Sequence, residues 1–207
     1  AYPIDFLPDS DRRILVSVTP MGGSSDPFTR VERMDVFTGA RKGVASVPVQ
    51  RATFVTDPAG EVRFAIGAGA DNETELYYRA DADSEWVLIN DEGETDQVVA
   101  PLGFSADGSV AYLQAEREQG PDAIEAFDPH TRERREIFRH ARVDPLEIVE
   151  SFDGRAVLGV GLRTPRRELH FFVDGSPEEK LWRSLSAAFE GQDVSIASIS
   201  ADGRWAL

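Results

Sequence analysis

The feature that most constrains this chain is a turn that recurs at a nearly constant interval. FVTDPAGEVRFAI (54–66), FSADGSVAYLQ (104–114), SFDGRAVLGV (151–160) and ISADGRWAL (199–207) each set a glycine between two short apolar runs. The glycines are Gly60, Gly108, Gly154 and Gly203, with separations of 48, 46 and 49 residues. A weaker copy, FLPDSDRRILVSV, puts Arg12 in that slot, 48 residues before Gly60. Self-similarity at this period outranks other local signals, because each unit is then one supersecondary motif that buries its faces only against its neighbours.

Each unit follows one grammar. A short apolar strand precedes the anchor turn (PIDFL, RATFV, APLGF, PLEIV, VSIASI) and a second follows it, the glycine supplying the positive φ of a tight hairpin. A third strand comes after a variable loop (RVERMDVF, TELYYRA, DAIEAFD, RELHFFV), followed by a polar turn such as FDPHTRER and a fourth segment such as RREIF. Units of this length with four short strands are the signature of propeller blades. The expected fold is all-β: a partial β-propeller of four four-stranded antiparallel blades, approximately 1–49, 50–97, 98–143 and 144–192, plus the start of a fifth at 193–207. On this reading SADGRWAL opens a blade whose other strands lie in a longer polypeptide.

One segment departs from the pattern. SPEEKLWRSLSAAFEGQD has Ser176 as an N-cap, Pro177 at the first helical position, Glu178 and Glu179 in the first turn, and Gly191 as a terminator. Leu181, Leu185, Ala188 and Phe189 share a helical face, so the spacing predicts a short helix at about 178–189 in place of an outer strand. The adjacent aromatics Tyr77–Tyr78 and Phe171–Phe172 lie within strands and are expected to point to opposite sheet faces.

Composition narrows the function classes. The chain carries 22 Lys and Arg against 37 Asp and Glu, a net charge of −15. Nucleic acid and anionic membrane are therefore excluded as expected partners, since both are bound through excess cations. The absence of cysteine removes disulfides and thiolate chemistry, and leaves the compartment open between cytoplasm and periplasm. No apolar run is long enough to span a bilayer as a helix.

The Ser-x-Asp-Gly anchors followed by an apolar strand resemble the blades of TolB-type and prolyl oligopeptidase-type propellers. SLSAAFEGQDVSIASISADGRWAL (184–207) is similar to a stretch of bacterial serine peptidases of the prolyl oligopeptidase family, in which a helix ending at glycine feeds a propeller strand. That resemblance implies a non-catalytic propeller that gates or docks peptide substrates for an α/β-hydrolase domain of the same polypeptide, C-terminal to this chain, carrying the Ser, Asp and His triad. The parent protein would then be a serine peptidase. The alternative is a TolB-like scaffold for protein binding with no enzyme attached.

Within the chain itself no residue is expected to be catalytic or to bind a cofactor or metal. A nucleophile elbow requires Gly-x-Ser-x-Gly; MGGSSDP (21–27) has Asp26 in place of the second glycine and reads as a loop. His130, His140 and His170 lack metal-ligand spacing, and NDEGETD (90–96) lacks the calcium-loop pattern. Asp57, Asp107, Asp153 and Asp202 recur once per unit, as turn-stabilising groups do. Arginines cluster at 131–142 and 163–168; Arg163, Arg166 and Arg167 are the candidates for docking a carboxylate of a peptide or partner. An arc with uncovered blade faces is also expected to self-associate.

Overall fold

The computed structural model describes residues 1–7, 10–20, 22, 27–196, 198–200 and 205–207. They form four antiparallel meanders in chain order. The first sheet holds β1 (Tyr2–Asp5), β2 (Arg13–Val18), β3 (Arg30–Asp35) and β4 (Arg41–Ser46). The second holds β5 (Thr53–Thr56), β6 (Val62–Ala68), β7 (Thr74–Tyr78) and β8 (Val87–Asp91), followed by a single helical turn, α1 (Glu92–Thr95). The third holds β9 (Val99–Phe104), β10 (Ala111–Ala115), β11 (Ala123–Phe127) and β12 (Arg134–Arg139). The fourth holds β13 (Pro145–Glu150), β14 (Val157–Arg163) and β15 (Arg167–Phe171), and then gives way to α2 (Pro177–Ala188).

The anchor turns repeat in atomic detail. In the third sheet the Ser105 N–H donates to Val110 O at 2.8 Å and Gly108 N–H to Ser105 O at 2.9 Å. In the fourth, Ser151 N–H reaches Ala156 O at 2.8 Å and Gly154 N–H reaches Ser151 O at 2.8 Å. Gly108 and Gly154 have φ of 70° and 69°, a region in which a Cβ is costly. Asp107 and Asp153 tie each frame by accepting from Ser105 Oγ at 2.7 Å and Ser151 Oγ at 2.5 Å. Past α2 the frame recurs: Ser200 N–H donates to Trp205 O at 2.9 Å, and Ile199 bridges Ala206. The intervening Asp202 and Gly203 lie outside the described residues, as does most of the MGGSSDP loop.

Two anchors differ from the spacing-based alignment. Asp57 stands in the serine slot, because Gly60 N–H closes on Asp57 O at 2.9 Å. Its carboxylate accepts from Ala59 N–H and Glu61 N–H, both at 3.0 Å, doing alone what a serine and an aspartate share elsewhere. In the first sheet the turn closes two residues ahead of Arg12, with Ser10 N–H on Leu7 O at 3.2 Å.

Burial follows strand alternation. Phe64, Leu76 and Tyr78 of the second sheet meet Val99, Phe104, Leu113 and Phe127 of the third in an aromatic seam. Phe64 lies 5.1, 5.4 and 5.6 Å from the rings of Tyr78, Phe104 and Phe127. The opposite face of the second sheet packs Phe54, Ala65 and Tyr77 against Leu15 and Val31 of the first. Tyr77 and Tyr78 therefore do face opposite ways, as period-two alternation requires.

The fourth sheet has three strands rather than four, and α2 follows where the outer strand would come. Ser176 caps α2 by accepting from Glu179 N–H at 3.0 Å, with Pro177 opening the helix. The groups α2 buries are acidic: Glu178 accepts Phe152 N–H at 3.1 Å, and Glu179 pairs with Arg183 at 2.5 Å and accepts Gly175 N–H. Of the expected apolar face, Leu181 and Leu185 are half-buried, whereas Ala188 and Phe189 are exposed. The chain also has a second helical element, α1, within the acidic NDEGETD run; Asp91 caps it by accepting Gly93 N–H at 2.9 Å.

Candidate functional site: the axial channel and the β15 groove

The first strand or anchor turn of each sheet contributes to one cavity of about 300 Å³. Asp5 and Phe6 come from the first sheet, Phe54 to Asp57 from the second, Leu102 to Phe104 from the third, and Glu150 with Asp153 to Val157 from the fourth. This is the axial channel of a radial arrangement. Two side chains cross it. Thr56 Oγ1 donates to Asp5 Oδ2 at 2.6 Å, joining first and second sheets, and Arg155 Nη1 donates to Pro58 O at 3.2 Å, joining fourth and second.

The channel wall is acidic. Asp57 is neutralised by Arg63, whose Nη1 lies 2.7 Å from its Oδ2, and that guanidinium continues to Tyr78 Oη at 2.7 Å. Burial opposes the Arg63 charge, but the bonds to Asp57 and Tyr78 outweigh it and hold its pKa above the ordinary value. Partial burial pushes the Glu150 carboxyl above the ordinary carboxylate range. Ser151 leads the groups that hold Asp153 below it. Asp5, Glu150 and Asp153 thus face one cation, Arg155, among the described lining residues.

Among the described lining residues of the channel there is no histidine or serine to act as base and nucleophile. His130 and His140 serve outer turns: Asp128 accepts His130 N–H at 2.7 Å, and His140 Nδ1 accepts Val143 N–H at 3.1 Å. His170 stacks on Phe138 at 3.9 Å in the seam between the third and fourth sheets, where burial lowers its pKa against a weaker opposing pull from Asp174. Among the described residues no group of three His, Asp or Glu side chains is arranged to hold a metal ion.

The arginine clusters resolve into several roles. Arg134, within the 131–142 run, pairs with the buried Glu125 at 2.6 Å, and Arg117 closes on the same carboxylate at 2.6 Å. Glu32 of β3 repeats this arrangement, flanked by Arg30 at 2.6 Å and Arg41 at 3.4 Å. Sequence spacing did not reveal these pairs, because Arg117, Arg134 and Arg41 reach the carboxylates from neighbouring strands and loops, and only Arg30 shares a strand with its partner. Of the docking candidates, Arg167 is committed: it pairs with Glu147 at 2.7 Å, donates to Val194 O at 3.2 Å and lies 4.8 Å from the Trp182 ring centroid. Arg163 and Arg166 are exposed on the same rim.

A second cavity, about 470 Å³, lies between β15 and α2. Leu169, His170 and Phe171 line its strand side and Trp182 and Ser186 its helix side, with Asp174 also on its wall. Phe172 turns the other way, onto Tyr112 at 4.5 Å.

The structure of TolB from Acinetobacter baumannii is similar to this chain, with a TM-score of 0.50 and 15% identity over 82% of this chain. The fold is that of a TolB-like β-propeller. The chain spans 39% of the length of that TolB, and its sheets form part of a propeller. No protein-family model and no curated protein sequence matches the chain. No helix among the described residues is long and apolar enough to cross a membrane.

Proposed function

We propose that this chain is a non-catalytic propeller module that docks a partner polypeptide at the mouth of its axial channel. The observation that carries this reading is the channel itself, built by four successive sheets and walled by Asp5, Glu150 and Asp153 against Arg155. Such a wall favours a segment bearing positive charge, drawn in by the field of a chain with net charge −15. The TolB-like fold supports a scaffold role, in which the rigid sheets hold loops and turns toward a partner. Self-association belongs to the same proposal, since Leu146 and Ile148 of β13 are 67% and 44% exposed.

A tetralysine peptide titrated against isotope-labelled protein tests the reading. Its first amide shifts are expected at residues 4–6, 54–57, 102–104 and 150–157, and Glu150→Gln with Asp153→Asn should remove most of them. Shifts spread evenly over the acidic surface would contradict channel docking.

A second reading sets the propeller ahead of an α/β-hydrolase domain of prolyl oligopeptidase type, where the channel would admit peptides and exposed Arg163 and Arg166, beside the committed Arg167, would dock their carboxylates. What favours it is the run from α2 through Gly191 to the last anchor turn, the stretch that carries the sequence resemblance. A coding sequence continuing past Leu207 into Gly-x-Ser-x-Gly, then Asp and His, would support it. A fluorophosphonate probe should leave every serine of this chain unlabelled; labelling would overturn both readings.

A further inference from the structure

The fourth sheet ends on a strand with one edge unpaired. β15 bonds to β14, and among the described residues no fourth strand follows it in the sheet. Strand alternation determines which backbone groups face outward. Phe172 N–H donates to Leu158 O at 2.8 Å, in register with Val160 opposite His170 and Gly161 opposite Leu169. Bonded and non-bonded pairs alternate along an antiparallel ladder. Glu168 and His170 therefore turn their N–H and C=O groups toward β14, while Arg167, Leu169 and Phe171 turn theirs away. The Arg167 N–H agrees with this phase, since it donates to the Asp193 carboxylate at 3.2 Å.

Leu169 and Phe171 both line the 470 Å³ groove. Trp182 gives the groove an apolar wall opposite the strand. Most of its charges are already matched: Glu179 by Arg183, Arg167 by Glu147, and Asp193 by the Arg167 N–H. Asp174 is the exception. It stands just beyond the C-terminal end of β15, near a His170 whose burial favours the neutral ring.

We propose that an extended peptide adds antiparallel to β15 as the fourth strand of this sheet. Its backbone bonds to Leu169 and Phe171, its alternate side chains pack toward Trp182, and its N-terminal end carries a basic group beside Asp174. Strand addition of this kind draws affinity from main-chain hydrogen bonds and selectivity from the side-chain groove. The antiparallel sense continues the pairing of the rest of this sheet and brings a peptide's amino end to the acidic end of the groove.

The test is residue-resolved amide exchange on the whole chain with the amidated peptide Lys-Val-Thr-Val-Thr-Val. In the free protein the amides of Glu168 and His170 should exchange slowly and those of Leu169 and Phe171 fast. Adding peptide should slow Leu169 and Phe171 by about tenfold or more, and a counterpart N-methylated at every amide should not. Asp174→Asn should weaken the lysine-headed peptide by a factor of about two to five and leave an acetyl-Val-headed one unchanged. Slow exchange at Leu169 and Phe171 in the free protein, no protection at millimolar peptide, or equal protection by the N-methylated peptide would overturn strand addition. Equal binding of the lysine-headed peptide by the Asp174 variant would overturn the charge assignment.

Discussion

The seam between the second and third sheets and the seam between the third and fourth are built on the same anchor turns, yet they are different materials. The first is a dry aromatic cluster around Phe64, with Tyr78, Phe104 and Phe127 all fully buried. The second is tight near the axis, where a Cβ on Gly103 would stand 2.6 Å from Val157 Cγ2. Further out it relaxes into half-buried rings, with Phe138 against His170 and Phe172 against the buried Tyr112. A uniform repeat in the turns therefore does not impose a uniform interface. Turn geometry is set within six residues; the character of a seam is set by which side chains alternate onto it.

That contrast gives graded expectations. Phe64→Ala should cost about 3–5 kcal/mol in chemical denaturation, as emptying a fully buried aromatic site does, whereas Phe172→Ala should cost about 1 kcal/mol, in keeping with partial burial. Equal costs would erase the distinction between the seams. Arg63→Met leaves the largely buried Asp57 carboxylate without its cation, and about 3 kcal/mol should be lost; rescue by Asp57→Asn in the same background would confirm the pairing. Gly103→Ala combines a φ of 143° with the close approach of Val157, and should cost about 2 kcal/mol. If it cost nothing, the second seam would be loose at the axis as well.

Smaller effects sharpen the picture. Arg167→Ala should lose about 1 kcal/mol, since its pair is partly exposed and its contact with Trp182 is a surface cation–π interaction. Arg163→Ala should change stability by less than about 0.5 kcal/mol. Asp107 should titrate at about 2, chiefly because Ser105 and Ser109 donate to its carboxylate. The sign follows from linkage: a depressed folded-state pKa adds stability above the unfolded value, and that contribution is lost as pH falls toward 2. Carboxyl titration by NMR would check it, with Asp107→Asn removing that part of the acid limb. His170 has the same sign in its own range, because its lowered pKa makes protonation below the ordinary imidazole value oppose folding.

What could be read from the sequence was whatever depends on neighbours in the chain. The hairpin glycines, the Ser176 cap and the opposed Tyr77 and Tyr78 all follow from local rules of turn chemistry and alternation. Asp57 escaped because its aspartate stands three residues before the turn glycine, where Asp107 and Asp153 stand one before theirs, and the closing bond from Gly60 shows that it fills the serine position. The pairs around Glu32 and Glu125 escaped because strand register, not separation along the chain, decides which nearby arginines close on each carboxylate. The channel was implicit in the repeat, but its acidic wall was not, since the residues lining it are scattered from Asp5 to Arg155. The groove beside β15 exists only because a fourth strand does not follow, a fact the helix signal at Ser176 anticipated without revealing the open edge.

The radial arrangement itself can be tested through the bond that crosses the channel from the fourth sheet to the second. Arg155 and Pro58 are 97 residues apart yet joined through a guanidinium. With no native cysteine to interfere, the double variant Ala59→Cys, Arg155→Cys should be joined within one chain by a short bis-maleimide, in high yield and at dilute protein. A linear or differently ordered stack would hold the two turns apart; failure to form the intramolecular link in folded protein would contradict the channel and everything assigned to it.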